Sequence, residues 1–136
     1  MNWMSLNAKQ QSSVKNWENN YMAIQFEVPK VNKKIVAIDF DGVIVDNNYP
    51  MIGHPNIDII AFIRRHRKRY TWILWTCRVG DKLQEAIDYM KCEHGITFDY
   101  VNENCRENIL KYGSDSRKVY ADFYLDDHNI DFERMI

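Results

Sequence analysis

From residue 33 onward, short apolar runs alternate with amphipathic stretches and polar breaks. Ile35-Val36-Ala37-Ile38 is unbroken and apolar, set between Lys33-Lys34 and Asp39, the pattern of a strand buried on both faces. A first strand is expected over 34–39. Val43-Ile44-Val45 followed by Asn47-Asn48-Tyr49-Pro50 reads as a short hairpin-like flap, because Asn accepts turn geometry and Pro50 discourages pairing. Pro55 suits a first helical position, and Ile57, Ile60, Ala61 and Ile63 follow at helical spacing. A second strand is expected over 70–76. A second helix follows over 82–94, with Leu83, Ala86, Ile87 and Met90 on one face and Gly95 as its stop. A third strand over 98–101, a third helix over 106–112 and a fourth strand over 120–125 complete the alternation. Strands alternating with helices predict an α/β fold: one three-layer domain, helices on both faces of a mostly parallel sheet.

Residues 1–32 differ in character. They are rich in Asn, Gln, Ser and Lys, with scattered Trp3, Trp17, Tyr21 and Phe26. An arm is expected there, helical around 12–21, either partly ordered or packed on the core or on another subunit. The catalytic domain is expected over 33–136. The chain has 136 residues, 46% of them hydrophobic, enough for a single core. No apolar run reaches membrane-spanning length and no secretory leader pattern opens the chain, so a cytoplasmic protein without a membrane partner is expected. Cys77, Cys92 and Cys105 form neither a zinc pattern nor a disulfide framework, and reduced cysteines are expected. A net charge of −1 gives no general attraction to nucleic acid. The basic run Arg64-Arg65-His66-Arg67-Lys68-Arg69 falls at the end of the first helix, where cations suit the macrodipole. It should face the sheet end opposite the strand-end acids.

Those acids are the candidate chemistry. Asp39 and Asp41 stand two apart at the end of the first strand, and strand residues i and i+2 point the same way. In open α/β sheets, ligands bind at the carboxyl ends of strands. Gly42 permits a sharp turn and leaves room for a ligand near the backbone. Ala121-Asp122-Phe123-Tyr124-Leu125-Asp126-Asp127 again runs a strand into adjacent carboxylates. Such groups repel unless a proton or a cation is present, and an all-carboxylate set suits Mg²⁺ rather than zinc. Acids at strand ends also cap turns and helices. Arg78, just past the second strand, can hold phosphate by bidentate bonding or form a structural salt bridge. His128, beside Asp127, is expected exposed or capping a turn.

Asp39-Phe40-Asp41-Gly42-Val43 resembles the first motif of the haloacid dehalogenase-like superfamily. That family carries a Thr or Ser at the end of the second core strand, matched by Thr76. It carries a Lys ahead of the last acidic motif, matched by Lys118, and ends on an acidic pair, matched by Asp126-Asp127. The ordered set covers about 33–129. The resemblance implies a Rossmann-like fold and a Mg²⁺-dependent phosphomonoester hydrolase, with Asp39, Asp41, Thr76 and Lys118 as catalytic residues. Asp39 would be the nucleophile that forms an aspartyl-phosphate. Asp41 would protonate the leaving oxygen and then take a proton from water. Thr76, Arg78, Lys118 and the Gly42 backbone would hold the phosphorylated substrate. The metal set would be Asp39, Asp41 through its main-chain carbonyl and Asp126, with Asp127 either a further ligand or an acceptor for groups bound to the ion.

An acid at position 41 resembles the phosphatases and phosphomutases of the superfamily, not its dehalogenases. A mutase normally needs a cap to hold its intermediate. Between Asp46 and Pro55 there is room only for a flap, so no large cap domain is expected. An open site would take phosphates on small molecules or at the ends of macromolecules, or be covered by the arm or by a second copy in a homo-oligomer. The segments 39–46 and 121–127 also resemble deoxyribonucleotidase motifs, although those enzymes have a helical cap. Two other classes compete. A binding or scaffold protein would retain the fold without turnover, although it would have no need of every catalytic position. A receiver-like phosphoacceptor would carry its paired acids after the first strand, whereas the adjacent pair here comes last.

Overall fold

The computed structural model describes residues 33–129, and the chain divides between Asn32 and Lys33. The expected arm over 1–32 lies outside the described residues. Four strands, β1 (Ile35–Ile38), β2 (Thr71–Leu74), β3 (Tyr100–Val101) and β4 (Phe123–Leu125), form an all-parallel sheet in the order β3-β2-β1-β4. Three helices connect or follow them: α1 (Ile57–His66), α2 (Gly80–His94) and α3 (Arg106–Tyr112). The protein has an α/β fold, and no cap domain is inserted among the described residues.

Alternation along each strand divides the core into two layers. Val36 and Ile38 of β1 join Trp72 and Leu74 of β2 on one face, where Ile60 and Ile63 of α1 and Ala86 and Met90 of α2 cover them. Ile35, Ala37 and Ile73 face the other way, onto Cys105, Val119 and Ala121. Every residue of β1 is buried, which is why its sequence shows no polar alternation. Both layers exclude water from the central strands, and each fully buried Ile or Leu contributes about 1.5–3 kcal/mol.

Several elements are shorter than the periodicity predicts, and side-chain hydrogen bonds account for three of these losses; α2 opens two residues earlier than expected, at Gly80, and α3 spans its expected range. The helix expected to open at Pro55 starts at Ile57, because Asn56 is its N-cap and accepts from Ile59 N at 3.4 Å. Pro55 pairs instead with Val45 across the flap, where Asp46 N also donates to His54 O at 2.8 Å. Strand β3 begins only at Tyr100 because the Asp99 carboxylate accepts from Trp72 N and from both Nη atoms of Arg67. Strand β4 begins only at Phe123. The Asp122 carboxylate binds Ile35 N at 2.7 Å, and the Tyr124 hydroxyl donates to Val119 O at 2.6 Å, folding 119–122 back on the sheet.

The basic run ties down the amino edge of the sheet. Arg64 donates through Nε and Nη2 to His94 O at the end of α2, and Arg67 donates to Thr97 O and to Asp99. Arg64 thereby holds a helix carbonyl left without a partner in the last turn, and Arg67 the loop that follows, at the end of the sheet away from Asp39 and Asp126. Among the described residues no helix is long and apolar enough to cross a membrane.

Candidate active site at the carboxyl edge of the sheet

Strand order reverses between β1 and β4, and such a switch point opens a crevice at the carboxyl ends of its strands. Asp39 follows β1 and Asp126 follows β4. Asp39 N donates to Leu125 O at 2.9 Å, so strand pairing continues one residue past β1 and sets the two acids side by side. Asp39 Oδ1 accepts from Phe40 N, and Asp126 Oδ1 accepts from His128 N, both at 2.8 Å. One carboxylate oxygen from each of Asp39, Asp126 and Asp127 lies within 4.8 Å of the others.

Gly42 makes this gathering possible. Its φ is +90°, and a Cβ there would lie 2.1 Å from Asp127 Oδ2. The absent side chain is thus the seat of the third carboxylate, and a left-handed backbone reinforces the need for glycine.

Three acids in one crevice change their own chemistry. Burial, with the charges of Asp126 and Asp127 and a hydrogen bond with Asp127 adding to it, pushes the Asp39 carboxyl up to about 7; the Phe40 N–H works in the opposite direction. A divalent cation would relieve that repulsion. The donor set is entirely carboxylate, which suits a hard cation. Around Mg²⁺, with oxygens at about 2.1 Å, opposite ligands lie about 4.2 Å apart. Oxygens within 4.8 Å of one another need only a small inward adjustment to surround such an ion.

The Asp41 side chain is engaged apart from the three gathered carboxylates. Its Oδ2 accepts from Arg78 Nε at 2.7 Å and its Oδ1 from Arg78 Nη2 at 2.8 Å. The fold also decides between the two roles open to Arg78. The side chain expected to hold substrate phosphate is 1% exposed. Its Nη1 donates to Pro50 O and Lys82 O at 3.3 Å, and its Nη2 also donates to Met51 O at 2.9 Å. All five guanidinium donors are engaged inside the protein, so the salt-bridge alternative holds. The Asp41 hydrogen bond raises the Arg78 pKa further above its ordinary value.

Thr76 stands one residue beyond the last ladder bond, where Trp75 N donates to Ile38 O. Asn102 grips its main chain, accepting from Thr76 N at 2.8 Å and donating to Thr76 O at 2.9 Å. Thr76 Oγ1 accepts from Arg78 N at 3.1 Å, which leaves the hydroxyl proton available to another acceptor. Lys118 is exposed; its Nζ lies 5.8 Å from the centre of the Tyr124 ring and has no ion-pair partner among the described residues. The site therefore brings together Asp39, Asp126, Asp127 and Gly42, adds Asp41 and Thr76 through Arg78, and leaves Lys118 outside this hydrogen-bonded set. His128 is exposed as expected, with Nε2 at 3.7 Å from Asp127 Oδ2.

Two asparagines escaped the sequence reading. Asn102 has φ +51°, a conformation that Asn accepts more readily than most residues. Asn104 is 3% exposed. Its amide donates to Asp115 Oδ1 and Ser116 O, and its Oδ1 accepts from Tyr120 N. Asn104 thus fixes both ends of the segment that carries Lys118. The signal was Asn102-Glu103-Asn104 directly after a strand, at the same sheet edge as the acids.

No family model and no curated protein matches the chain. A solved structure of a conserved protein coded by a locus of Bacteroides thetaiotaomicron does, with 33% sequence identity and a TM-score of 0.63, covering 73% of this chain and 79% of that one. This chain belongs to that protein's family. The shared fold extends over most of both chains.

Proposed function

We propose that the protein is a Mg²⁺-dependent phosphomonoester hydrolase of the haloacid dehalogenase-like type, working through an aspartyl-phosphate on Asp39. The gathering of Asp39, Asp126 and Asp127 at the switch point is the observation that carries this reading. Bound there, Mg²⁺ would neutralise the facing anions of nucleophile and phosphate. Asp39 supplies the carboxylate oxygen that attacks phosphorus, breaking the bond to the leaving oxygen. Asp126 and Asp127, together with Asp39, would hold the ion. The Thr76 hydroxyl, whose oxygen already accepts from Arg78 N, donates to a phosphoryl oxygen. Lys118 extends from the segment that Asn104 fixes and adds a positive charge towards the transferring group. Asp41 would hand a proton to the leaving oxygen and later take one from the water that cleaves the acyl-phosphate, a role that requires one of its oxygens to exchange its Arg78 hydrogen bond for the proton. Phosphomonoesters of small molecules and phosphorylated ends of macromolecules are the proposed substrates, with an open, capless site in the cytoplasm.

The test is hydrolysis of 4-nitrophenyl phosphate by wild type and Asp39→Asn, with Mg²⁺ and with a chelator. Turnover is expected only for wild type with Mg²⁺. A beryllofluoride adduct on Asp39, seen by ¹⁹F NMR in wild type and absent from Asp39→Asn, is the activity-independent readout. Turnover that survives Asp39→Asn, or failure to form the adduct, would retire the reading.

A further inference from the structure

Arg78 links the Asp41 side chain to the tip of the flap, beyond the backbone bridges of Asp41 with Val45 and of Val45 with Pro55 at its base. On one side, Nε and Nη2 bind both oxygens of Asp41. On the other, Nη1 and Nη2 bind the flap carbonyls of Pro50 and Met51. The fifth donor goes to Lys82 O in the first turn of α2. The rings of Phe40 and Tyr49 each lie with their centres 5.1 Å from the guanidinium carbon, and Tyr49 belongs to the same flap. A guanidinium this buried is costly to leave unpaired. Asp41 cannot turn away from it without leaving a buried cation to three carbonyls alone. The flap cannot lift without leaving two of its N–H donors unsatisfied.

We propose that Arg78 is a positioning residue that couples the flap around 49–51 to Asp41, so that flap order and Asp41 orientation change together. Two groups bound to one saturated ion share a coupling free energy, and disturbing either disturbs the other. The part concerning proton transfer rests on the hydrolase reading; the coupling itself does not.

Hydrogen–deuterium exchange on the full chain tests the coupling, using wild type, Arg78→Lys and Asp41→Asn. The reporter is the peptide over 44–53, in which Asp46 N is hydrogen-bonded to His54 O. Losing a charge-assisted hydrogen bond from Arg78 should speed exchange there about tenfold or more, with exchange over 71–75 unchanged. Both variants should show it, although the Asp41 side chain bonds Arg78 and not the flap carbonyls. Should Arg78→Lys not fold, the near-isosteric Asp41→Asn carries the test alone. Flap exchange at the wild-type rate in Asp41→Asn would overturn the coupling.

Turnover supplies the second arm. In single-turnover release of the leaving group, which precedes hydrolysis of the acyl-phosphate, both variants should lose more rate on an alkyl phosphate, whose leaving oxygen needs a proton, than on 4-nitrophenyl phosphate, whose leaving group departs without one. Equal losses on the two esters would overturn the positioning of Asp41, because loss of folded protein lowers both alike. A wild type that hydrolyses neither ester would retire the hydrolase reading, while the exchange result would still decide the coupling.

Discussion

Metal binding should compete with a proton on Asp39. Its carboxyl is raised to about 7 by burial and by the neighbouring Asp126 and Asp127, so below that pH the ion-free site holds a proton that a cation must displace. The apparent dissociation constant scales as one plus the ratio of proton concentration to the acid constant. Affinity is therefore weakened about elevenfold at pH 6, about twofold at pH 7 and hardly at all at pH 8, a change of about tenfold across the range. About half a proton should be released per ion bound at pH 7. Isothermal titration with Mg²⁺ or Mn²⁺ at the three pH values, in two buffers of different ionisation enthalpy, reads both quantities. The same carboxyl has a stability consequence of definite sign. Its folded-state pKa lies above its ordinary 3.8, so the unfavourable burial of its charge is absent below that value, grows as pH rises, and is complete above 7. Ion-free protein should lose thermal stability across that window, and saturating metal should cancel the loss. A dissociation constant that is flat from pH 6 to 8, or an equal slope in Asp39→Asn, would refute the reasoning.

Gly42→Ala places a Cβ against Asp127 Oδ2 at a φ of +90°. Strain of about 1–3 kcal/mol should lower the midpoint of thermal unfolding, and displacement of Asp127 should weaken metal binding in the same titration. Asn102→Ala removes the partner of Thr76 N and puts Ala at φ +51°; a loss of about 1–3 kcal/mol in urea unfolding is expected, with a raised KM for phosphomonoesters. Arg67→Ala breaks a half-exposed pair at the opposite sheet edge. It should cost about 1 kcal/mol or less of stability and leave turnover per folded molecule unchanged.

The hydrophobic pattern determined the order of elements, because burial of β1 on both faces and of one stripe on α1 and α2 is written directly in which residues are apolar. It also determined that Asp39 and Asp126-Asp127 end strands. Strand and helix limits were less legible. Asn56, Asp99 and Asp122 each divert a backbone donor to a side chain, and no periodicity records which distant amide a carboxylate will choose. The meeting of Asp39 with Asp126 and Asp127 needed β1 to pair with β4 across 87 residues of chain, a choice made by sheet order. Arg78 shows the limit most plainly. Its position beside Thr76 was equally consistent with phosphate binding and with an internal ion pair. Tertiary packing settled the matter by bringing Asp41 and the flap carbonyls within hydrogen-bond reach and excluding water, which leaves a guanidinium no other partners. Asn102 and Asn104 were silent for the same reason. A short polar residue after a strand is unremarkable until the fold shows that its amide holds the backbone of a distant site.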